Sequence, residues 1–219
     1  YPSGLTGRLR VDMPQTTARE FILPRLPAFL QAHPGLSIEL SSTDRKVDVV
    51  REGFDCVLRA GQLSDSSLVA RPLGQHVMVN CVSTGYAAAN GVPTSLEDLP
   101  QHRLVHYAST LGTRSSGFEH VDPLTGELRF TAMPGALTVN NADAYEAACL
   151  AGMGIVQIPR VSAMPHFQAH RMVEVLPTHR AAPLPLNLIY AHRRHLPRRV
   201  QAFMDWVSAV MAEHLQPPT

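Results

Sequence analysis

Residues 8–59 read RLRVDMPQTTAREFILPRLPAFLQAHPGLSIELSSTDRKVDVVREGFDCVLR, and this stretch decides the fold class. An apolar stripe at helical spacing fills the first half of it, and a short helix is predicted near 47–52, closed by Gly53. The apolar-polar alternation of β-strands occurs in three segments, 8–13, 36–40 and 54–59. Short strand–helix–strand connections favour right-handed crossovers, so we predict a parallel sheet in an α/β fold.

The first helix is predicted to be irregular. Gln15, Thr16 and Thr17 follow the first strand and offer side chains of the kind that cap helix N-termini. Pro24 and Pro27 then lie inside the apolar stripe, and proline removes a backbone donor. We therefore expect a kink or a late start in this helix.

The rest of the chain continues the alternation of strands and helices. Further strands are predicted at 68–73, 77–82, 104–107, 136–139, 154–159, 172–176 and 184–190. A capping box at 94–97 opens a short helix, and a turn at 122–126 predicts a hairpin. Asn141 is expected to cap a helix over 142–151. The closing helix begins near residue 197, and its buried face is expected to contain Val200, Phe203, Val207, Val210 and Met211.

Composition excludes several classes of protein. The 219 residues carry a net charge of +1, whereas a module that binds DNA on its own is usually strongly basic. No apolar run approaches the length of a membrane span, and no secretion leader is recognisable, so we expect neither. Three widely spaced cysteines favour small core residues in a reducing compartment, and a cytoplasmic location is expected.

Several stretches occur in an order typical of one protein family. They are GRLRV at 7–11, LPRLPAFL at 23–30, DRKVDVVREGFD at 44–55, DSSLVAR at 65–71, AGMGI at 151–155 and RRHLPRRVQAF at 193–203. This ordered set, which spans nearly the whole chain, resembles the effector-binding domain of LysR-type transcriptional regulators.

The resemblance implies a periplasmic-binding-protein-like type II fold, in which two Rossmann-like subdomains are joined by two crossing strands. Subdomain I would comprise 7–78 plus 186–215, and subdomain II would comprise 79–185. Residues 1–6 would be a linker remnant and 216–219 a disordered tail. It also implies a missing N-terminal winged helix-turn-helix, through which alone DNA would be bound.

The resemblance also implies partners. A small-molecule effector would bind between the subdomains, and the domains would pair as an antiparallel homodimer, with a homotetramer in the full-length regulator. The first helix, about 17–33, would face the helix at about 142–152 of its mate. No catalytic residue, metal or cofactor is expected.

Ligands of open α/β sheets bind outside the carboxyl ends of strands, which selects the candidate effector contacts. They are Gln15, Thr16, Thr17, Ser41, Ser42 and Arg59 in subdomain I, and Tyr107, Asn141 and Gln157 in subdomain II. Helix N-termini near Thr17 and Asn141 favour an anion such as a carboxylate. Each residue has a structural alternative: a helix cap, a strand end, an aromatic core position, a solvent-facing arginine, or a buried amide bonded within the protein.

Two other functions stay open. A solute-binding protein of a transport system shares the fold, and a small enzyme can be built on the same scaffold. The chain contains no GxSxG, HExxH or P-loop pattern. His166 and His170 are four residues apart but lack further metal ligands. The basic run at 192–199 has no interleaved aromatic residues, and a solvated surface turn is predicted there.

Overall fold

The computed structural model describes residues 4–192 and 194–218. The chain divides into two compact units, which we call unit 1 (Tyr1–Gln75 and Pro185–Thr219) and unit 2 (His76–Leu184). Within the described ranges, no helix combines the length and the apolar character needed to cross a membrane.

Strands and helices alternate along the chain. The strands are β1 (Thr6–Met13), β2 (Gly35–Ser42), β3 (Cys56–Ala60), β4 (Leu68–His76), β5 (Met78–Ser83), β6 (His106–Tyr107), β7 (Phe118–Val121), β8 (Leu128–Thr131), β9 (Thr138–Val139), β10 (Val156–Pro159), β11 (Met172–Val175) and β12 (Leu184–Ala191). The α-helices are α1 (Gln15–Thr17), α2 (Leu26–Ala32), α3 (Thr84–Asn90), α4 (Ala142–Leu150), α5 (Arg160–Gln168) and α6 (Arg198–Ala212). A π-helical turn covers Ala18–Ile22, and a 3-10 helix covers Leu96–Gln101.

Unit 1 contains a five-stranded sheet in the order β2-β1-β3-β12-β4. β1 is parallel to β2 along its whole length, with Met13 opposite Ser42, and parallel to β3, with Val11 opposite Cys56. β12 runs antiparallel to β3. The predicted parallel arrangement of the first three strands is confirmed, and their carboxyl ends therefore meet at one edge of the sheet.

The core of unit 1 forms between this sheet and the closing helix. All five residues predicted for the buried face of α6 are buried, and Met204 joins them. On α2, the ring of Phe29 lies 4.7 Å from the ring of Trp206 and 6.0 Å from that of Phe203, measured between centroids. Burial of each large apolar side chain contributes about 2 kcal/mol, so this helix fixes one face of the sheet.

The first helix is broken, as its prolines predict. It starts as α1, continues as the π-helical turn and resumes at Leu26, with Pro27 in the first turn of α2. The expectation that Gln15, Thr16 or Thr17 caps the helix is wrong. The residue before α1 is Pro14, and its side chain has no donor or acceptor to offer.

The helix expected near 47–52 is also absent, and a turn replaces it. The Asp48 carboxylate accepts a hydrogen bond from the backbone N–H of Arg51 at 2.9 Å, and the Glu52 carboxylate accepts one from Asp48 N–H at 2.8 Å. Such side-chain bonds compete with helical ones. Gly53 closes the turn at φ 71°, in the left-handed region expected for it.

Unit 2 is built from smaller sheets. β5 lies between β10 and β11 and is antiparallel to both, while β6 pairs with β9 in parallel and β7 with β8 as the predicted hairpin. The capping box is shifted by one residue, because Asp98 accepts from Ser95 N–H at 3.1 Å. Helices α3 and α5 were not predicted by the sequence patterns.

At both ends of the chain, strand pairing extends further than the sequence predicts. β1 starts at Thr6, which pairs with Gly35, although 1–6 was expected to be a linker. Gln216 exchanges two backbone hydrogen bonds of 3.0 Å with Gln75, although a disordered tail was expected from there on. Residues 1–3 and 219 lie outside the described ranges.

Candidate functional site

A polar group occupies the edge of unit 1 where the parallel strands end. We call Asp12, Ser41, Thr43 and Arg59 the strand-end cluster. Asp12 is the penultimate residue of β1, Ser41 the penultimate residue of β2, and Arg59 the penultimate residue of β3. The backbone N–H of Thr43 donates to the Met13 carbonyl at 3.0 Å, which holds the turn after β2 against the end of β1. The parallel register therefore brings Asp12 into contact with residues 29 to 47 positions further along the chain.

Asp12 is the centre of this cluster. Its side chain is completely buried, and the Thr43 hydroxyl donates to its Oδ1 at 3.0 Å. The Ser41 hydroxyl is a second hydrogen-bond partner of the same carboxylate. Nη1 of Arg59 lies 3.6 Å from Asp12 Oδ2, and the Arg59 side chain is only 12% exposed. The cluster is thus a largely buried ion pair with two hydroxyl groups around the acid.

Burial dominates the electrostatics of the pair. It raises the pKa of Asp12, although the hydrogen bonds from Ser41 and Thr43 and the Arg59 charge act in the opposite direction. Burial likewise lowers the pKa of Arg59, although the Asp12 charge opposes that shift. The loss of water around both charges thus outweighs their mutual attraction, as is common for buried ion pairs.

One donor of Arg59 is unsatisfied. Its Nη2 is buried and has no hydrogen-bond partner within residues 4–192 and 194–218. An unpaired buried N–H on a charged group is costly, so such groups nearly always have a partner. An acceptor from outside the protein would satisfy this one.

The other candidates in unit 1 surround the same edge with different exposure. Gln15 donates its backbone N–H to Asp44 Oδ1 at 3.1 Å, which links the start of α1 to the turn after β2. Thr16 is half-buried, Thr17 is buried and Ser42 is exposed. Among the predicted residues of this unit, the structure thus joins Ser41 and Arg59 through a residue that was not predicted, Asp12.

Gln157 in unit 2 has a structural role. Its amide donates to Asn80 Oδ1 at 2.9 Å and to the Glu119 carbonyl at 2.6 Å, and its Oε1 accepts from Glu119 N–H at 3.0 Å. Both N–H groups are therefore used within the protein. The side chain ties β10 to β5 and β7, which matches the structural alternative for this residue.

Tyr107 lies at the carboxyl end of β6 with an exposed ring. The ring stacks on Tyr145 with centroids 5.2 Å apart, and Tyr107 as a whole is 39% exposed. Tyr145 is buried, its hydroxyl accepts from Gln157 N–H at 3.0 Å, and burial raises its pKa. Two tyrosines and Gln157 thus form one connected wall, and Tyr107 offers its outer surface to solvent.

Asn141 caps α4, as its residue type predicts. Its Oδ1 accepts from Ala144 N–H at 2.9 Å, and its amide donates to Asn140 Oδ1 at 3.1 Å. The side-chain oxygen is therefore already occupied by the helix cap. Any contact it makes with a ligand uses what remains of the amide.

The described part of the chain contains no group of three or more histidine, cysteine or acidic residues placed to hold a metal ion. His166 accepts from Arg171 Nε at 3.1 Å through Nδ1 and lies 2.5 Å from Glu146 Oε1 through Nε2. His170 lies beyond the end of α5 at φ 54°, so the two histidines do not share a helix.

Sequence reasoning missed four residues that organise these walls, namely Asp12, Thr43, Asn80 and Glu119. Asp12 was assigned to the polar face of a strand by its alternation. Its position could have identified Asp12 as a site residue, since it is the last charged residue before the strand ends. Asn80 is a fully buried polar residue within an otherwise apolar strand, which is the same kind of signal.

Comparison with known proteins identifies the family. The family model for the LysR substrate binding domain matches residues 2–212. An uncharacterized HTH-type transcriptional regulator of Escherichia coli, YhjC, is 47% identical over 97% of this chain and 71% of its own length. An HTH-type transcriptional repressor of Pseudomonas aeruginosa is 35% identical over 95% of this chain and 65% of its own length.

Solved structures agree in fold. Full-length AphB, a Vibrio cholerae virulence activator of the LTTR family, matches with a TM-score of 0.77 and 26% identity over 97% of this chain and 70% of that one. The regulatory domain of CrgA from Neisseria meningitidis matches with a TM-score of 0.79 and 23% identity over 94% of this chain and 98% of that one. The fold is thus the periplasmic-binding-protein-like type II fold of such domains. These relatives are regulators, which favours regulation over solute delivery, and the chain belongs to the family of LysR substrate-binding domains of LysR-type transcriptional regulators.

Proposed function

We propose that this chain senses a small organic anion, such as a carboxylate, and that Arg59 in the strand-end cluster binds it. The observation that carries the proposal is the buried Nη2 of Arg59, which lacks an acceptor among the described residues. A carboxylate oxygen would supply that acceptor through a charge-assisted hydrogen bond, the stronger kind.

The surroundings of Arg59 fit a polar end of such a ligand. Thr16 follows the end of β1, and Ser41 and Ser42 are the last two residues of β2; neither Thr16 nor Ser42 is fully buried. Asp12 neutralises one charge, but its oxygens are already held by Ser41 and Thr43. A ligand acceptor therefore meets the free donor of Arg59 rather than a bare carboxylate.

The remaining predicted residues take secondary parts in this proposal. Tyr107 presents an exposed aromatic surface within unit 2. Asn141 and Gln157 hold the backbone of unit 2 in place, and Gln15 holds the start of α1 through Asp44, while Thr17 is buried. Within unit 1, Arg59 would thus contact the ligand directly, and the other candidates would line or support the strand ends around it.

Regulation would follow from differential affinity. The ligand favours whichever conformation binds it better, and the shift is no larger than that difference in binding free energy. We infer that the chain forms homodimers, and homotetramers in a longer regulator, in the cytoplasm. DNA would be bound by a segment outside residues 1–219, since the relatives are named HTH-type regulators and are longer than this chain.

A thermal-shift screen of small carboxylates, each beside its amide, tests the proposal. A ligand that binds only the folded state raises the melting temperature by mass action, so at least one carboxylate should stabilise the chain more than its amide does. Arg59→Gln should abolish that shift. Arg51→Gln is the matched control, because Arg51 is exposed in the turn at 49–53 and lies outside the cluster.

Two results would contradict the proposal. One is a screen in which no carboxylate raises the melting temperature of the wild-type chain. The other is a shift that survives unchanged in folded Arg59→Gln protein.

A further inference from the structure

An open cavity lies within unit 1, and it shares no residue with the strand-end cluster. Its volume is about 440 Å³. Val69 and Arg71 line it from β4, two positions apart and therefore on one face of the strand. Gln201 and Asp205 line it from α6, four positions apart and therefore on one face of the helix. Regular secondary structure thus builds this cavity from two sides.

The chain segment after β12 forms the remaining wall. Tyr190 near the end of the strand and His192 just after it are again two positions apart, and Arg194 and Leu196 follow them. The cavity is therefore lined by strand, helix and loop residues, and none of them is among the nine candidate effector contacts.

The charges in this cavity are unbalanced. Arg71 donates from Nη1 to Asp205 Oδ1 at 2.8 Å, which pairs one arginine with one acid. Arg194 is exposed and forms no ion pair with any residue that the structure describes. The lining therefore holds one more guanidinium than carboxylate, besides the imidazole of His192. An anion is the ligand charge that this lining attracts.

The lining also has an apolar part. Val69, Leu196 and the ring of Tyr190 are each half-buried and face the same space. Apolar walls with a few placed polar groups are the usual make-up of small-molecule sites. A bare inorganic anion would leave these walls wet, whereas an organic anion would cover them.

We propose that this cavity is a second ligand site, specific for a small organic anion with an apolar body. Its carboxylate lies against Arg71 and Arg194, and its body covers Val69, Tyr190 and Leu196. β4 and β12 are the strands in which the chain leaves unit 1 and returns to it. A ligand here therefore contacts the two segments that continue into unit 2, and can modulate the response to a first effector.

Titration with hexanoate, followed by amide chemical shifts of the isotope-labelled chain, tests the proposal. Shifts should concentrate around Val69, Tyr190 and Gln201, and hexanamide should not produce them. We expect saturation by about 20 mM, because a ligand of this size binds in the millimolar range. Arg194→Gln should weaken binding about tenfold, the factor for one charge-assisted hydrogen bond. Asp205→Asn should tighten it, because Arg71 loses its competing acid.

Two control variants separate this site from its surroundings. Arg198→Gln removes a charge from the same helix without touching the cavity and should leave the affinity unchanged. Arg59→Gln removes the proposed primary contact and should likewise leave these shifts unchanged.

The proposal is overturned if the cavity amides do not move up to about 20 mM, the millimolar range for so small a ligand. Equal binding of hexanamide would also overturn it. The proposal is also overturned if Arg194→Gln leaves the hexanoate affinity at these amides unchanged. It is overturned as well if Arg59→Gln abolishes that affinity and Arg194→Gln does not. The last result would place hexanoate at the strand-end cluster and leave the proposed function standing.

Discussion

Replacement of Arg59 by methionine should destabilise the protein by about 3 kcal/mol at pH 7. At a separation of 3.6 Å and an effective dielectric constant near 20, the attraction between Arg59 and Asp12 is about 5 kcal/mol. Part of the loss is recovered, because Ser41 and Thr43 still bond the carboxylate and water can enter where the guanidinium was. The loss of one partner from a buried ion pair is typically of this size.

The destabilisation should depend on pH with a defined sign. Burial raises the pKa of Asp12 in the folded state above that in the unfolded chain, so Asp12 favours folding below its unfolded pKa and loses that effect as the pH rises through its folded pKa. Without Arg59, the folded pKa rises further. The penalty of Arg59→Met is therefore greatest at neutral pH and shrinks as the pH falls, because a growing share of the carboxyl is protonated and needs no cation.

Urea unfolding of four proteins measures both effects: wild type, Arg59→Met, Asp12→Asn and the double variant. The double variant should be more stable than Arg59→Met alone, since it buries no unpaired charge. A loss below about 0.5 kcal/mol for Arg59→Met at pH 7, the level of an ordinary surface substitution, would contradict a buried ion pair between Arg59 and Asp12. An equal loss at pH 4 and pH 7 would refute the electrostatic cause.

Three further predictions concern unit 2 and the thiols. Gln157→Leu should lower the free energy of unfolding in urea by about 3 kcal/mol, because the buried Asn80 amide and the partly buried Glu119 backbone lose their partner; a near-neutral variant would remove this role. Asn141→Ala should lower the free energy of unfolding by about 1 kcal/mol and Asn141→Asp by much less, and equal losses would show that the cap is not the cause. Cys56, Cys81 and Cys149 are buried, and burial raises the pKa of Cys56 and Cys149 to about 12 and that of Cys81 as well. An aromatic disulfide reagent should therefore react with them only after denaturation, and rapid modification of the native chain would contradict the buried thiols.

Sequence patterns were sufficient to predict secondary structure and buried residues where an element has one buried and one exposed face. The alternation in β1 and the stripe on α6 each point one set of side chains into the core, so Leu9, Val11 and Phe203 are buried as the patterns predict. Helix α5 was missed because Pro165 lies inside it and its apolar residues show little periodicity. The helix near 47–52 was wrongly predicted because residue type alone does not reveal that Asp48 and Glu52 turn their carboxylates onto the backbone.

The strand-end cluster could be predicted from the sequence only in part. The rule that ligands bind at strand ends selected Ser41 and Arg59, and the structure places both near the ends of neighbouring parallel strands. It did not identify Asp12, because alternation assigned that acid to solvent whereas the sheet is covered on both faces at that point. The partners of Gln157 lie 38 and 77 residues away, and no local pattern reports such a contact.

The central claim is that the buried guanidinium of Arg59 receives an organic anion. Its most direct test is the guanidinium resonance of Arg59 during titration with the carboxylate that stabilises the chain most. We expect a saturable shift of that resonance together with the amides of Ser41 and Ser42, at the dissociation constant found by calorimetry. Saturation of binding with the Arg59 resonance unmoved would contradict it.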